Sequence, residues 1–93
     1  MNSISPQLVQ ELGQALDHIE ADRDVRCVVI TGEGRAFCAG ADLKAVKSFG
    51  DQAGPAGQEA AIRVFLGAAT ALLRRIERLP MPVIAAVNGA ALA

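Results

Sequence analysis

A chain of 93 residues with a net charge of −1 and 52% apolar residues holds one domain at most. The charge balance excludes the concentrated basic face that nucleic-acid binding calls for, and the apolar share excludes disorder. A domain this size buries only roughly 60–65% of the surface its unfolded chain exposes, so the long runs of Ala, Val, Ile and Leu read as part of a larger globule.

Ser5-Pro6 opens the first element, with a hydroxyl at the capping position and proline at the first helical position, where its missing N–H costs nothing. Leu8, Val9, Leu12, Ala15, Leu16 and Ile19 then share one stripe, which predicts a helix over residues 6–21 that stops in Asp22-Arg23-Asp24. Gly13 weakens this helix by about 1 kcal/mol relative to Ala and suggests a close helix contact. His18, the one histidine, falls on the polar side and reads as a solvated residue rather than an acid or base. Residues 25–31, Val-Arg-Cys-Val-Val-Ile-Thr, show the β-branched, nearly continuous apolar pattern of a buried parallel strand that ends at Gly32. Residues 32–40 read as a loop, and Asp42-Leu43-Lys44 begins a short helical piece. Residues 48–57, rich in Gly, Ala and Asp with Pro55, lack periodicity and read as a surface loop.

A long helix is predicted over residues 59–79. Ile62, Phe65, Leu66, Ala69, Leu72, Leu73, Ile76 and Leu79 form its main stripe, widened by Val64, Ala68 and Ala71, so cover on more than one side is expected. Pro80 and Pro82 stop it. Residues 83–87 form a second short strand, and Asn88-Gly89 turns after it. The order helix, strand, loop, helix, strand implies an α/β fold with parallel strands and a right-handed crossover. No strand is expected before the first helix. A two-stranded sheet leaves open edges and apolar faces, so the fold is expected to be truncated at both ends.

Cys27 and Cys38 lie in no metal or redox spacing and make no disulfide framework, as in a reduced, cytoplasmic protein. Residues 1–5 have neither the basic nor the apolar region of a secretion signal. The longest uncharged apolar stretch, residues 64–73, is far short of the ~20 residues a membrane span needs. Arg74, Arg75 and Arg78 cluster at a helix end, where cations offset the negative end of the dipole; contact with a ligand's phosphates is their alternative use.

Glycines after a buried strand raise phosphate binding. The dinucleotide pattern G-x-G-x-x-G starts at Gly32 and Gly34 but meets Phe37 at its last position. The Walker pattern needs four residues between its glycines, whereas Gly34 and Gly40 have five between them and Ala41 follows. Both fail. What remains is Gly34-Arg35-Ala36-Phe37-Cys38-Ala39-Gly40-Ala41-Asp42-Leu43-Lys44. The small residues Ala39, Gly40 and Ala41 admit a ligand close to the backbone. A helix starting at Asp42 would offer free N–H groups with the positive end of a dipole behind them. That suits an anion, or a carbonyl oxygen about to become one; a tight strand-to-helix turn explains the same residues equally well.

The run from Gly34 to Lys44 resembles a signature of the crotonase superfamily, the enoyl-CoA hydratase/isomerase family. Pro82-Val83-Ile84-Ala85-Ala86-Val87-Asn88-Gly89 resembles its second signature, in the right order and at the right distance, and residues 2–8 and 26–32 match as well. The resemblance covers nearly the whole chain except residues 48–57. It implies a crotonase-like ββα spiral, of which residues 1–93 would be the amino-terminal part of a single domain, with the greater part lying outside them.

By that resemblance the backbone N–H of Ala41 is one of two donors to the oxygen of an acyl-CoA thioester, stabilising its enolate. The backbone around Ala39 would meet coenzyme A at its adenine end, with Gly40 also against the coenzyme, Lys44 near its phosphates and Asp42 and Leu43 at the pocket mouth. Phe37 would be core packing and Cys38 a small filler. No permanently bound cofactor and no metal are implied; coenzyme A enters as part of the substrate. The second donor and the acid/base glutamates of family hydratases would lie beyond Ala93, and no acid present stands at a matching position. Full-length relatives are implied to form homotrimers or hexamers, and fatty-acid oxidation is the commonest setting. The expected function is therefore the acyl-CoA-binding part of a hydratase or isomerase, inactive alone; the alternative is a stand-alone CoA-binding, structural or interaction module without catalysis.

Overall fold

The computed structural model describes residues 2–50 and 54–92. In chain order they form β1 (Ser3–Ile4), α1 (Pro6–Ala21), β2 (Val28–Thr31), β3 (Ala36–Ala41), α2 (Leu43–Gly50), α3 (Gly54–Glu77), β4 (Val83–Ala86) and β5 (Ala90–Leu92).

The strands make two sheets, one in the order β1-β3-β5 and the other pairing β2 with β4, and every pairing is parallel. The chain alternates between them: β2 enters one sheet and β3 the other, α2 and α3 cross over, and β4 and β5 then add one strand to each. Each turn of the chain is thus two strands followed by helix, stacked on the turn before. This is part of the ββα spiral that the family resemblance implies, in the fold of parallel strands and crossover helices expected from the sequence.

Local chemistry sets the helix ends. Ser5 Oγ accepts from the Leu8 N–H at 3.2 Å with Pro6 in the first turn, and Asp22 ends α1 with its N–H on the carbonyls of His18 and Ile19. The boundaries of α1 are those its capping residues predict. His18 is exposed, as expected.

Elsewhere the structure corrects the sequence reading. Residues 36–40, read as loop, lie in strand β3; the strand has no β-branched residue, and parallel partners on both sides form it regardless of propensity. A strand does precede α1, and β1 pairs with β3 rather than with β2. The expected surface loop at residues 48–57 is mostly helical, since α2 runs to Gly50 and α3 starts at Gly54; residues 51–53 lie outside the described residues. Pro55 fits there because proline is tolerated in the first turn of a helix.

The buried core joins Leu16 of α1, Ala36 of β3, Val46 of α2, and Phe65 and Leu72 of α3. One face of α3 is covered, with Ile62, Ala69 and Ile76 half-buried beside Phe65 and Leu72. Its other face is open: Val64, Leu66 and Leu73 are exposed, so the expected cover on more than one side is absent among the described residues. Strand β2 is also not fully buried. Val28 and Ile30 are half-buried while Val29 is 60% exposed, because nothing among the described residues packs on the outer face of β2 and β4.

Candidate functional site

The residues singled out by sequence, Ala39 to Lys44, form the junction between β3 and α2. Ala39, Gly40 and Ala41 end the strand, Asp42 stands between the elements, and Leu43 and Lys44 open the helix. Gly40 is buried, Ala39 and Asp42 are half-buried, and Ala41, Leu43 and Lys44 are exposed.

The ladder against β1 is irregular at this point. Ala39 N–H donates to the Asn2 carbonyl at 2.8 Å, and Asp42 N–H donates to the Ile4 carbonyl at 2.8 Å. Successive donors in a regular parallel ladder lie two residues apart, whereas these two lie three apart. The strand therefore carries one extra residue between Ala39 and Asp42, a bulge. Gly40, at φ 96°, supplies the left-handed conformation the bulge needs.

Asp42 then starts α2. Its carboxylate Oδ1 accepts from the Ala45 N–H at 3.1 Å and its carbonyl from the Val46 N–H at 3.2 Å. This is a helix N-cap, which gives Asp42 a structural role the sequence reading had not assigned. The capping bonds account for the third and fourth amides of α2. The N–H groups of Leu43 and Lys44 precede the first intrahelical bond, and the helix dipole adds positive potential at the same end. The junction therefore gathers backbone donors around small residues, where an oxygen bearing or developing negative charge is favoured.

Two asparagines that the sequence reading passed over as a turn and as part of a motif support β3 from its other end. Asn88 Oδ1 accepts from the Gly32 N–H at 3.0 Å, while its Nδ2 donates to the carbonyls of Gly34 at 2.9 Å and Ala36 at 3.4 Å. Asn2 Nδ2 donates to the carbonyls of Glu33 at 2.9 Å and Ala36 at 2.7 Å. Gly89 has to be glycine, because a Cβ there would fall against the Arg35 carbonyl. The signal available in sequence was an Asn-Gly pair directly after a strand.

The arginine cluster divides. Arg75 reaches from α3 to α1, bonding Asp17 and Glu20 at 2.8 Å each, with the Gly13 carbonyl at 3.4 Å. Its hydrogen bonds to Glu20 first, and then to Asp17, hold the guanidinium above its ordinary pKa. Arg75 is thus a tie between helices. Arg74 and Arg78 line a cleft with Arg23, Glu20 and Asp22. An apolar groove between α1, α2 and α3 is lined by Val9, Val46, Val64 and Phe65. Neither depression is lined by any residue from Ala39 to Lys44.

Among the described residues no group of His, Cys, Asp and Glu has the make-up of a metal site, and no helix is long and apolar enough to cross a membrane. Both cysteines are free thiols.

Comparison with known proteins agrees with this architecture. A probable enoyl-CoA hydratase of Bacillus subtilis is 40% identical over 91 residues, covering 98% of this chain and 33% of the relative. The 1,2-epoxyphenylacetyl-CoA isomerase of Escherichia coli is 39% identical over 92 residues, covering 98% and 33%. The crystal structure of an enoyl-CoA hydratase from Bacillus anthracis superposes with a TM-score of 0.77 at 40% identity, covering 94% of this chain and 31% of that one. The chain thus spans about a third of the length of the curated relatives it matches. The Enoyl-CoA hydratase/isomerase family model matches residues 1–93, and on that match and the shared fold the chain belongs to the enoyl-CoA hydratase/isomerase family.

Proposed function

We propose that residues 1–93 are the amino-terminal part of a single enoyl-CoA hydratase/isomerase domain and carry its thioester cradle, with the Ala41 N–H donating to the thioester oxygen of an acyl-CoA. The observation that carries this reading is the bulge at Gly40, which puts one extra residue between Ala39 and Asp42, the donors to the Asn2 and Ile4 carbonyls. An amide within such a bulge and beside a helix N-terminus is suited to an oxygen that gains charge during reaction. One such donor is typically worth about 3–4 kcal/mol in the transition state. Coenzyme A belongs to the substrate in this reading, with Ala39 toward its adenine end, Gly40 also against the coenzyme and Lys44 toward its phosphates. Assembly into trimers or hexamers and a cytoplasmic setting belong to it too; the free thiols of Cys27 and Cys38 favour the latter.

Hydration or isomerisation also needs carboxylates to move protons. Asp42, the acid adjoining the cradle in sequence, is engaged as a helix cap. The 93 residues alone are therefore expected to bind an acyl-CoA without turning it over, and measurable hydration of a short enoyl-CoA by a pure sample would refute this. Binding is tested by calorimetry with acetyl-CoA and CoA, with circular dichroism on the same sample. Ala41→Pro removes the proposed donor without breaking the Asp42–Ile4 bond, so it is expected to weaken acetyl-CoA binding at least tenfold with the spectrum retained. Equal binding by wild type and Ala41→Pro would reject the cradle. The alternative, a structural or interaction module, is favoured by the exposed Val29, Ile84, Leu66 and Leu73; a folded chain that binds neither ligand would point to it.

A further inference from the structure

Strand β3 reads Ala36-Phe37-Cys38-Ala39-Gly40-Ala41, and β5 beside it reads Ala90-Ala91-Leu92. Apart from Phe37 and Leu92 these side chains are small, and small side chains specify register weakly. The cradle nonetheless requires a single register. A one-residue slip would carry the Ala41 amide about 3.3 Å along the strand and turn it toward the opposite edge. Hydrogen bonds from outside its ladder would add to what Phe37 and Leu92 specify.

Asn2 precedes β1 and Asn88 precedes β5, the two strands that flank β3. Their side chains grip the same segment, residues 32–36, from both sides. Asn88 engages Gly32, Gly34 and Ala36, and Asn2 engages Glu33 and Ala36. The Ala36 carbonyl, at the start of β3, receives both amides. Only a carboxamide satisfies what surrounds Asn88, because one end must accept from an N–H and the other must donate to carbonyls. Turning the amide over would set donors against the Gly32 N–H and an oxygen against two carbonyl oxygens.

We propose that Asn88, with Asn2 opposite it, is a positioning residue that pins the register of β3 between β1 and β5 and so sets where the Ala41 amide lies. The consequence for ligand binding rests on the thioester reading above; the register pin does not. Asn88→Asp keeps an acceptor for Gly32 but puts a carboxylate oxygen opposite two carbonyls, so it attacks the pin selectively.

The test is NMR on the intact chain, reading inter-strand proton contacts for the pairs Cys38–Ala91, Ala39–Leu92 and Ser3–Gly40, with Val28–Val83 and Ile30–Ala85 as internal controls. Affinities for acetoacetyl-CoA and CoA are measured on the same samples. In Asn88→Asp the β3 contacts are expected to shift by one residue or vanish while the β2–β4 contacts persist. Acetoacetyl-CoA affinity should fall at least tenfold with CoA affinity within twofold. Unchanged β3 contacts would overturn the proposal. So would loss of every strand contact together in both Asn88→Asp and the milder Asn2→Ser, since the asparagines would then support the fold as a whole rather than the register. If wild type binds neither ligand while the contacts move as expected, the thioester reading fails and the pin stands.

Discussion

At the level of single residues, the glycines separate those the backbone requires from those it does not. Gly13 lies inside α1, where the sequence suggested a close helix contact, yet an added Cβ would meet nothing within 4 Å. Gly13→Ala is therefore expected to stabilise the chain by about 0.5–1 kcal/mol through helix propensity alone, read as a higher urea midpoint. Gly89→Ala is expected to do the opposite. Its Cβ would press on the Arg35 carbonyl, which is backbone and cannot rotate away, so a loss above about 2 kcal/mol or failure to fold is expected. Comparable midpoints for the two variants would mean that the turn before β5 does not sit against residues 35–36. Asp42 offers a milder contrast. Asp42→Ala removes the cap on α2 and should cost about 1 kcal/mol, while Asp42→Asn, which retains an acceptor, should cost much less. The cap was hidden in the sequence because Asp42 stood within a run whose small residues and glycines suggest a ligand site. The bend at Gly40 was legible, since Gly40 and its small neighbours announce a backbone that must be approached or bent.

At the level of elements, legibility followed the strength of each local signal. Helix α1 was readable to the residue because Ser5, Pro6 and a clean apolar stripe all agree. Strand β3 was not readable, because Phe37 alone among its residues favours a strand and its identity comes from its two parallel neighbours. Helix α3 was found but entered late, because Gly54-Pro55-Ala56-Gly57 looks like a loop by composition. The tie between α1 and α3 could not be foreseen. Arg75 looked like one of three equivalent cations, and only the crossing of the two helices brings it to Asp17 and Glu20. Its raised pKa means that the charged form is favoured on folding. That contribution is fully present below the guanidinium's unfolded value and is lost only as pH rises through the still higher folded one, so it does not vary near neutrality. Arg75→Met should lower the thermal midpoint in dilute buffer by an amount that shrinks in 1 M salt, because the partners are solvent-exposed and screened. A loss that is independent of salt would mean that Arg75 acts through packing of its stem rather than its charge.

At the level of the whole molecule, shape and surface agree that the chain leaves apolar faces uncovered. Its accessible surface is 6759 Å², against about 5,100 Å² for a compact monomer of this mass. The Cα radius of gyration is 14.8 Å, against about 12 Å for a compact chain of this length. Val29 and Ile84 lie side by side in the β2–β4 register, and both are more than half exposed, whereas Phe65 is 6% exposed within the small core. These positions should respond to substitution in opposite ways. Phe65→Ala is expected to cost about 3–5 kcal/mol, as much as a single small core supplies, and so to unfold the isolated chain in circular dichroism. The double change Val29→Thr, Ile84→Thr keeps β-branched residues on the strands and should move the urea midpoint by less than about 0.5 kcal/mol, while lowering binding of a hydrophobic dye. Should the threonine pair instead destabilise the chain and reduce its mass in sedimentation, the face formed by β2 and β4 is covered by a second copy in solution, and the unpaired sheet described for one chain is the interface of an assembly.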